Sequence, residues 1–301
     1  MNKLKALGLS LTLSLSLLLA GCVDQSAPPQ GQTGSSGGIA ATSVAVMQIC
    51  EKLDLDLVGV PDTKLATIPD RYASATVVGT PMAPDMEILA QLGPEWVLSP
   101  NSLQNDLQPK YEAAGLKYGF LNLKTIFGMY QSIEDLGALF GKEAEAQALV
   151  DEFNAYYDSY RANHPTGEAP RVLVLMGLPG SYVVATENSY VGSLVEVAGG
   201  ENIYAGTDQE FLTVNTEDML KKDPDIILRT AHALPDSVME MFAEEFSTND
   251  IWKHFTAVEN QRVYDLPYDY FGMSANFTYP QALDILDGIF YGDTVGTGGG
   301  D

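Results

Sequence analysis

Side chains able to do chemistry are few in this 301-residue chain, and they lie far apart. The histidines are His164, His232 and His254, and the cysteines are Cys22 and Cys50. A zinc or manganese receptor usually gathers several His and carboxylate ligands, so histidines this dispersed argue against one. Catalytic motifs fail on context. Gly34-Ser35-Ser36-Gly37-Gly38 has the spacing of a nucleophile elbow, but that motif needs a strand before it and a helix after it, and its low-complexity surroundings supply neither. Gly137-Ala138-Leu139-Phe140-Gly141-Lys142-Glu143 misses the phosphate-loop spacing and lacks a Ser or Thr after the lysine, and no credible Ser-His-Asp set is present. His232 follows the apolar run 226–229 by three residues, and open α/β sheets bind ligands outside the carboxyl ends of their strands. Met82 lies in Thr80-Pro81-Met82-Ala83-Pro84, where the prolines argue for an ordered loop instead of a core helix, although a methionine by itself is ordinarily a core filler. The other candidates have structural readings: His164 at a helix end, where a cation suits the dipole; His254 packed in an aromatic run with Trp252 and Phe255; Cys50 as a buried thiol in Val46-Met47-Gln48-Ile49-Cys50.

Seven short apolar runs, at 55–60, 96–99, 119–121, 171–176, 182–185, 226–229 and 262–266, read as buried parallel strands alternating with helices. They form two α/β lobes, over 39–141 and 165–291. Between them, residues 142–163 contain no Gly or Pro, and Leu149, Phe153, Tyr156 and Tyr160 recur at helical spacing. Gly141 and Pro165 mark the ends, giving a bridging helix over 142–164. About 22 residues at 1.5 Å each span roughly 33 Å, enough to join two lobes. The composition, 46% hydrophobic with a net charge of −24, allows a sizeable core and excludes nucleic acid as a partner, because such a surface repels phosphate.

The chain opens with a secretory leader over 1–21: Lys3 and Lys5, an apolar stretch 7–19, then Leu19-Ala20-Gly21-Cys22. The leader is short and serine-rich, which argues against a membrane-spanning anchor of about 20 apolar residues. Its end resembles the lipobox of bacterial lipoproteins, and this implies cleavage before Cys22, a diacylglycerol on the Cys22 thiol and attachment to the lipid bilayer at the outer face of the cell membrane. Cys50 then has no intramolecular disulfide partner. Residues 22–38 read as a flexible tether and 292–301 as a disordered Gly-rich tail.

The lobes also echo each other. Glu87 precedes Pro94 by seven positions and Glu217 precedes Pro224 by seven; in both cases a short helix, a proline and an acidic residue lead into an apolar strand. A first-turn carboxylate is ordinary helix-dipole chemistry, but a matched pair also suits docking to a partner with twofold symmetry.

Several segments together resemble one family: Leu57-Val58-Gly59-Val60-Pro61, Pro81-Met82-Ala83-Pro84-Asp85-Met86-Glu87, Leu175-Met176-Gly177-Leu178-Pro179-Gly180-Ser181-Tyr182, Ala198-Gly199-Gly200-Glu201-Asn202, Pro224-Asp225-Ile226-Ile227-Leu228-Arg229 and Asn249-Asp250-Ile251-Trp252-Lys253-His254. The chain is similar over 41–291 to the substrate-binding lipoproteins of ABC importers for haem, iron-siderophores and cobalamin, and most like the haem-receiving lipoproteins of Gram-positive iron-regulated surface (Isd) systems. The resemblance implies a non-enzymatic carrier of haem (iron protoporphyrin IX) that takes its cargo from a surface haem donor and passes it to an ABC permease dimer. It implies Met82 and His232 as axial iron ligands, a pair that saturates the iron and raises its potential relative to harder ligands. It implies Glu87 and Glu217 as partners of permease arginines. The propionates fall near the start of the first helix, at Thr42, Ser43 and Val44, where free amides suit an anion. Lys64 and Arg71 are possible cations for them, and Tyr182 or Tyr190 could line the pocket or pack in the core. Two alternatives stay open at this level: a ferric siderophore or corrinoid as cargo, and a haem-modifying enzyme. The acidic surface, without a basic cluster, is a poor trap for anionic siderophores.

Overall fold

The computed structural model describes residues 37–292, except Leu65 and Thr166. The expected leader, the expected lipidation site Cys22, most of the expected tether and nearly all of the Gly-rich tail therefore lie outside the described residues.

The first lobe grows outward from a very short strand. β1 (Ile39–Ala41) is wholly buried, and it passes through Thr42 and Ser43 into α1 (Val44–Lys52). Ser43 has extended backbone and its hydroxyl accepts the Val46 amide, which satisfies one of the donors a helix start leaves orphaned. β2 (Leu57–Val60) pairs parallel with β1, and β3 (Thr76–Val77) with β2. A small hairpin of β4 (Gly79–Thr80) and β5 (Ala83–Pro84) leads into α2 (Met86–Leu92) and then β6 (Trp96–Pro100), which pairs with the other side of β1. α3 (Gln104–Ala113) and β7 (Tyr118–Leu121) complete a sheet of order β3-β2-β1-β6-β7, parallel throughout. The sequence reading has no strand at 39–41, yet β1 is the centre of this sheet.

α4 (Ile126–Phe140), capped by Thr125 and ended by left-handed Gly141, is followed at once by α5 (Glu143–Asn163). α5 is the expected bridging helix. It lacks a side-chain cap, but Glu143 and Glu145 stand in its first turn and Arg161 in its last, as the helix dipole favours.

The second lobe is built on β8 (Arg171–Leu178), a nearly continuous buried run. Its partner β9 (Ser181–Ala185) is antiparallel, correcting the expectation of a parallel strand at 182–185: only Pro179 and Gly180 separate the two, too short a link for a parallel crossover. α6 (Tyr190–Val197), β10 (Glu201–Asn202), β11 (Phe211–Leu212), α7 (Thr216–Lys222), β12 (Ile226–Ala231), α8 (Pro235–Thr248), α9 (Thr256–Glu259), β13 (Val263–Asp265) and α10 (Tyr279–Tyr291) follow. The sheet order is β11-β9-β8-β12-β13, with β10 alongside the start of β8. Gly177 of β8 lets α8 lie close, since a Cβ there would overlap Val238 and Phe242.

The two lobes share a core. One apolar cluster runs from β1 and α1 through α4 and α5 to β8, α6 and α10. Along α5, Phe153 stacks on Tyr130 of α4 at 4.2 Å and meets Tyr279 of α10 edge-on, while Tyr156 also abuts Tyr279.

Candidate functional site

The segment just past β7, at the carboxyl edge of the first sheet, meets the second lobe at the junction of the lobes. Just past β7, the Leu123 carbonyl accepts the Ala275 amide at 2.8 Å, the Lys124 carbonyl accepts the Ser193 hydroxyl at 3.4 Å, and the Lys124 ammonium pairs with Glu210 at 3.0 Å. Near the end of β12, the Thr230 hydroxyl donates to the Phe271 carbonyl, which ties the loop holding Ala275 to that edge. The end of β12 and the loop after β13 thus face the first lobe at this junction, and post-strand positions are where open α/β sheets hold ligands.

His232 emerges directly from β12 at this edge. Its amide donates to the Gly177 carbonyl at 2.9 Å, and Tyr268 reaches its carbonyl at 3.5 Å, so the backbone under the imidazole is held from two sides. Burial lowers the imidazole pKa below its ordinary value, which favours the neutral ring with a lone pair to donate. The buried Nδ1 meets no hydrogen-bond partner, leaving Nε2 as the nitrogen for a ligand. Met82 comes from the other lobe. It occupies the two-residue turn between β4 and β5, with its side chain 58% exposed, the reverse of a core-filling methionine.

The start of α1 lies where strand order reverses, between β1 and β6. Thr42 is fully buried, its hydroxyl 2.8 Å from that of Ser99, which in turn is 2.9 Å from the Tyr111 hydroxyl. Ser43, not Thr42, is therefore the helix cap. The amides of Ser43 and Val44 donate to no protein group among the described residues.

The remaining expectations divide. Lys64 is exposed in the loop that leaves the carboxyl end of β2. Arg71 is a correction: its guanidinium pairs with Asp54 and Asp56 at 3.0 Å each, residues that precede β2 and so lie at the opposite edge of the sheet. Tyr182 is committed elsewhere as well, its ring against Phe242 and Trp252 and its hydroxyl donating to Glu245 at 2.9 Å. Tyr190 is buried in the shared core. His164 ends α5, but it packs between Tyr160 and Tyr291 with Nδ1 3.5 Å from Asp287, so it meets a carboxylate instead of helix carbonyls. His254 is exposed, a second correction: Trp252 and Phe255 take the buried positions of that turn. Cys50 is buried and free, and desolvation pushes its thiol up to about 12.

Glu87 and Glu217 occupy equivalent places. Each is exposed and second in a seven-residue helix, α2 capped by Asp85 and α7 by Asn215, and each helix ends on a left-handed residue, Gly93 or Asp223. A helix leading into a parallel strand starts at the carboxyl edge, so each carboxylate stands at the carboxyl edge of its own sheet.

A sequence profile of the periplasmic binding protein family matches residues 39–270. The chain belongs to that family. This binding protein is 40% identical over 278 residues to the High-affinity heme uptake system protein IsdE of Staphylococcus aureus strain Newman, covering 92% of this chain and 94% of that one. It superposes with a TM-score of 0.79 on an ABC transporter substrate-binding protein from Listeria monocytogenes EGD-e, 46% identical, over 84% of this chain and 98% of that one. The corresponding values for S. aureus IsdE complexed with heme are 0.80, 42%, 84% and 98%. In the binding protein described here, three residues that position the site went unread in the sequence: Ser99 under Thr42, Tyr268 against His232, and Gly177, which both anchors His232 and admits α8. A lone serine or tyrosine carries no signal of such a role, although Gly177 does lie in one of the family-like segments.

Proposed function

We propose that this binding protein carries haem between its lobes and delivers it to an ABC permease for iron acquisition. Met82 and His232 are the axial ligands in this reading, and the free amides at the start of α1, with Lys64 nearby, receive the propionates. Iron with both axial positions filled is carried and not reacted upon, and a thioether ligand holds its potential above that of harder ligand sets. Glu87 and Glu217 meet arginines on the two halves of the permease. Cys22, lipidated, would hold the protein at the outer face of the membrane, within reach of a surface haem donor.

The observation that carries the reading is 42% identity to a relative crystallised with heme, in a chain that sets a backbone-anchored histidine at the end of β12 in one lobe and an exposed turn methionine in the other. Adding haem to the apo protein is expected to give a Soret band that shifts in His232→Ala and in Met82→Ala, each with tenfold or greater loss of affinity, about 1.4 kcal/mol. Wild-type spectra and affinities in both variants would sink the axial assignment. No Soret band at all would sink haem as cargo, and titration with ferric chelates and cobalamin would then identify the ligand.

A further inference from the structure

Leu234 is the wrong residue for its surroundings in three respects. Its backbone is left-handed, with φ 47° and ψ 59°, a region where the Cβ of an ordinary L-residue crowds the neighbouring carbonyl. The other non-glycine residues with positive φ are Asp54, Asp223 and Gln261, so Leu234 is the one apolar case among the described residues. It also fills the N-cap position of α8 without making a side-chain cap, where Asn, Asp or Ser would bond a free amide. Finally, it is 62% exposed, more than any other large apolar side chain described. Neither packing nor capping offsets the strained backbone within the chain itself. Strain that the fold does not reward points to a functional demand.

Its position supplies that demand. Leu234 stands two residues beyond His232 at the carboxyl edge of β12, and Pro235 follows it at the first position of α8. The fixed proline ring and the left-handed turn hold the Leu234 backbone in one place, so that seating a ligand against its side chain orders little that was free. We infer that Leu234 is an apolar rest for the face of the cargo macrocycle beside its histidine ligand, and that it sets how fast the cargo leaves. This inference rests on the haem reading.

Two substitutions separate this role from a purely structural one. Leu234→Asn keeps the side-chain size, tolerates the left-handed region and can cap α8; Leu234→Gly simply relieves the backbone. Both are expected to raise the melting temperature of the apo protein by about 2–4 °C while speeding haem transfer to excess apomyoglobin about tenfold. The Soret maximum should not move, because both iron ligands remain. Leu234→Met, which keeps apolar bulk, should release haem at the wild-type rate. Wild-type release rates in both the Asn and Gly variants, from a wild type that binds haem, would overturn the role of Leu234 alone. A wild type that takes up no haem overturns the cargo reading and this inference with it.

Discussion

His232 and Met82 are positioned by unlike means. The histidine is fixed by a strand end, a glycine carbonyl and a tyrosine hydroxyl, whereas the methionine rides an exposed two-residue turn. His232 draws attention in the sequence because it trails an apolar run, whereas Met82 is singled out by the family resemblance, its flanking prolines marking a loop but not a ligand. The place of Arg71 was not legible: it follows β2 in sequence, but the chain returns to the opposite edge of the sheet before reaching it, and no spacing rule records that reversal. Tyr182 was misread for a related reason, since its acceptor lies 63 positions away. That acceptor, Glu245, also takes hydrogen bonds from Trp252 Nε1 at 3.0 Å and Asn249 Nδ2 at 2.9 Å. Burial raises the Glu245 carboxyl, but these three donors outweigh it and leave the pKa below its ordinary value. Glu245→Ala strands three donors, one on a fully buried tryptophan, and should cost about 2–4 kcal/mol at neutral pH. Because the folded pKa is the depressed one, this stabilisation is present above the unfolded carboxylate pKa and is lost as pH falls through the folded value. Thermal melts of the wild type and variant should therefore converge toward strong acid; a gap that stays constant would show that the carboxylate is not the source.

At the level of elements, long apolar runs and breaker-bounded helices were the legible parts, because burial on both faces and a 22-residue stretch free of Gly and Pro leave few alternatives. β1 was missed because three residues ending in two alanines carry neither alternation nor bulk, and its place at the centre of the sheet is decided by β2 and β6 on either side. The antiparallel β9 was missed because strand direction depends on a two-residue link, not on composition. α5 has a mechanical consequence for ligand release. Its aromatic face is stacked on α4 and abuts α10, with Tyr160 bonded to Asp287 at 2.8 Å, so a wide hinge motion would break a continuous core. Small-angle scattering of haem-free and haem-loaded protein should differ by less than about 1 Å in a radius of gyration of roughly 18 Å; a large closure would contradict this.

For the whole molecule, a net charge of −24 makes the location of carboxylates more informative than their number. Glu87 and Glu217 stand out because they are matched across the two lobes, exposed, and without an ion-pair partner among the described residues. Replacing both with alanine should leave melting temperature and haem binding nearly unchanged, as exposed substitutions usually do, while lowering haem-supported iron uptake by cells at least tenfold. Normal uptake by the double variant would show that docking uses another surface. A last consequence belongs to β1. It is the first strand described after the tether, and it is hydrogen-bonded on both sides, to Leu57 and Gly59 and to Trp96, Val97 and Leu98 in register. A force pulling through the residues before Ile39 acts along the strand axis, so the bonds on both flanks are loaded in shear and must fail together instead of one after another. The lobe is therefore gripped at a strand bonded on both flanks, and a drag on the chain can turn the whole body without peeling open the carboxyl edge of the sheet.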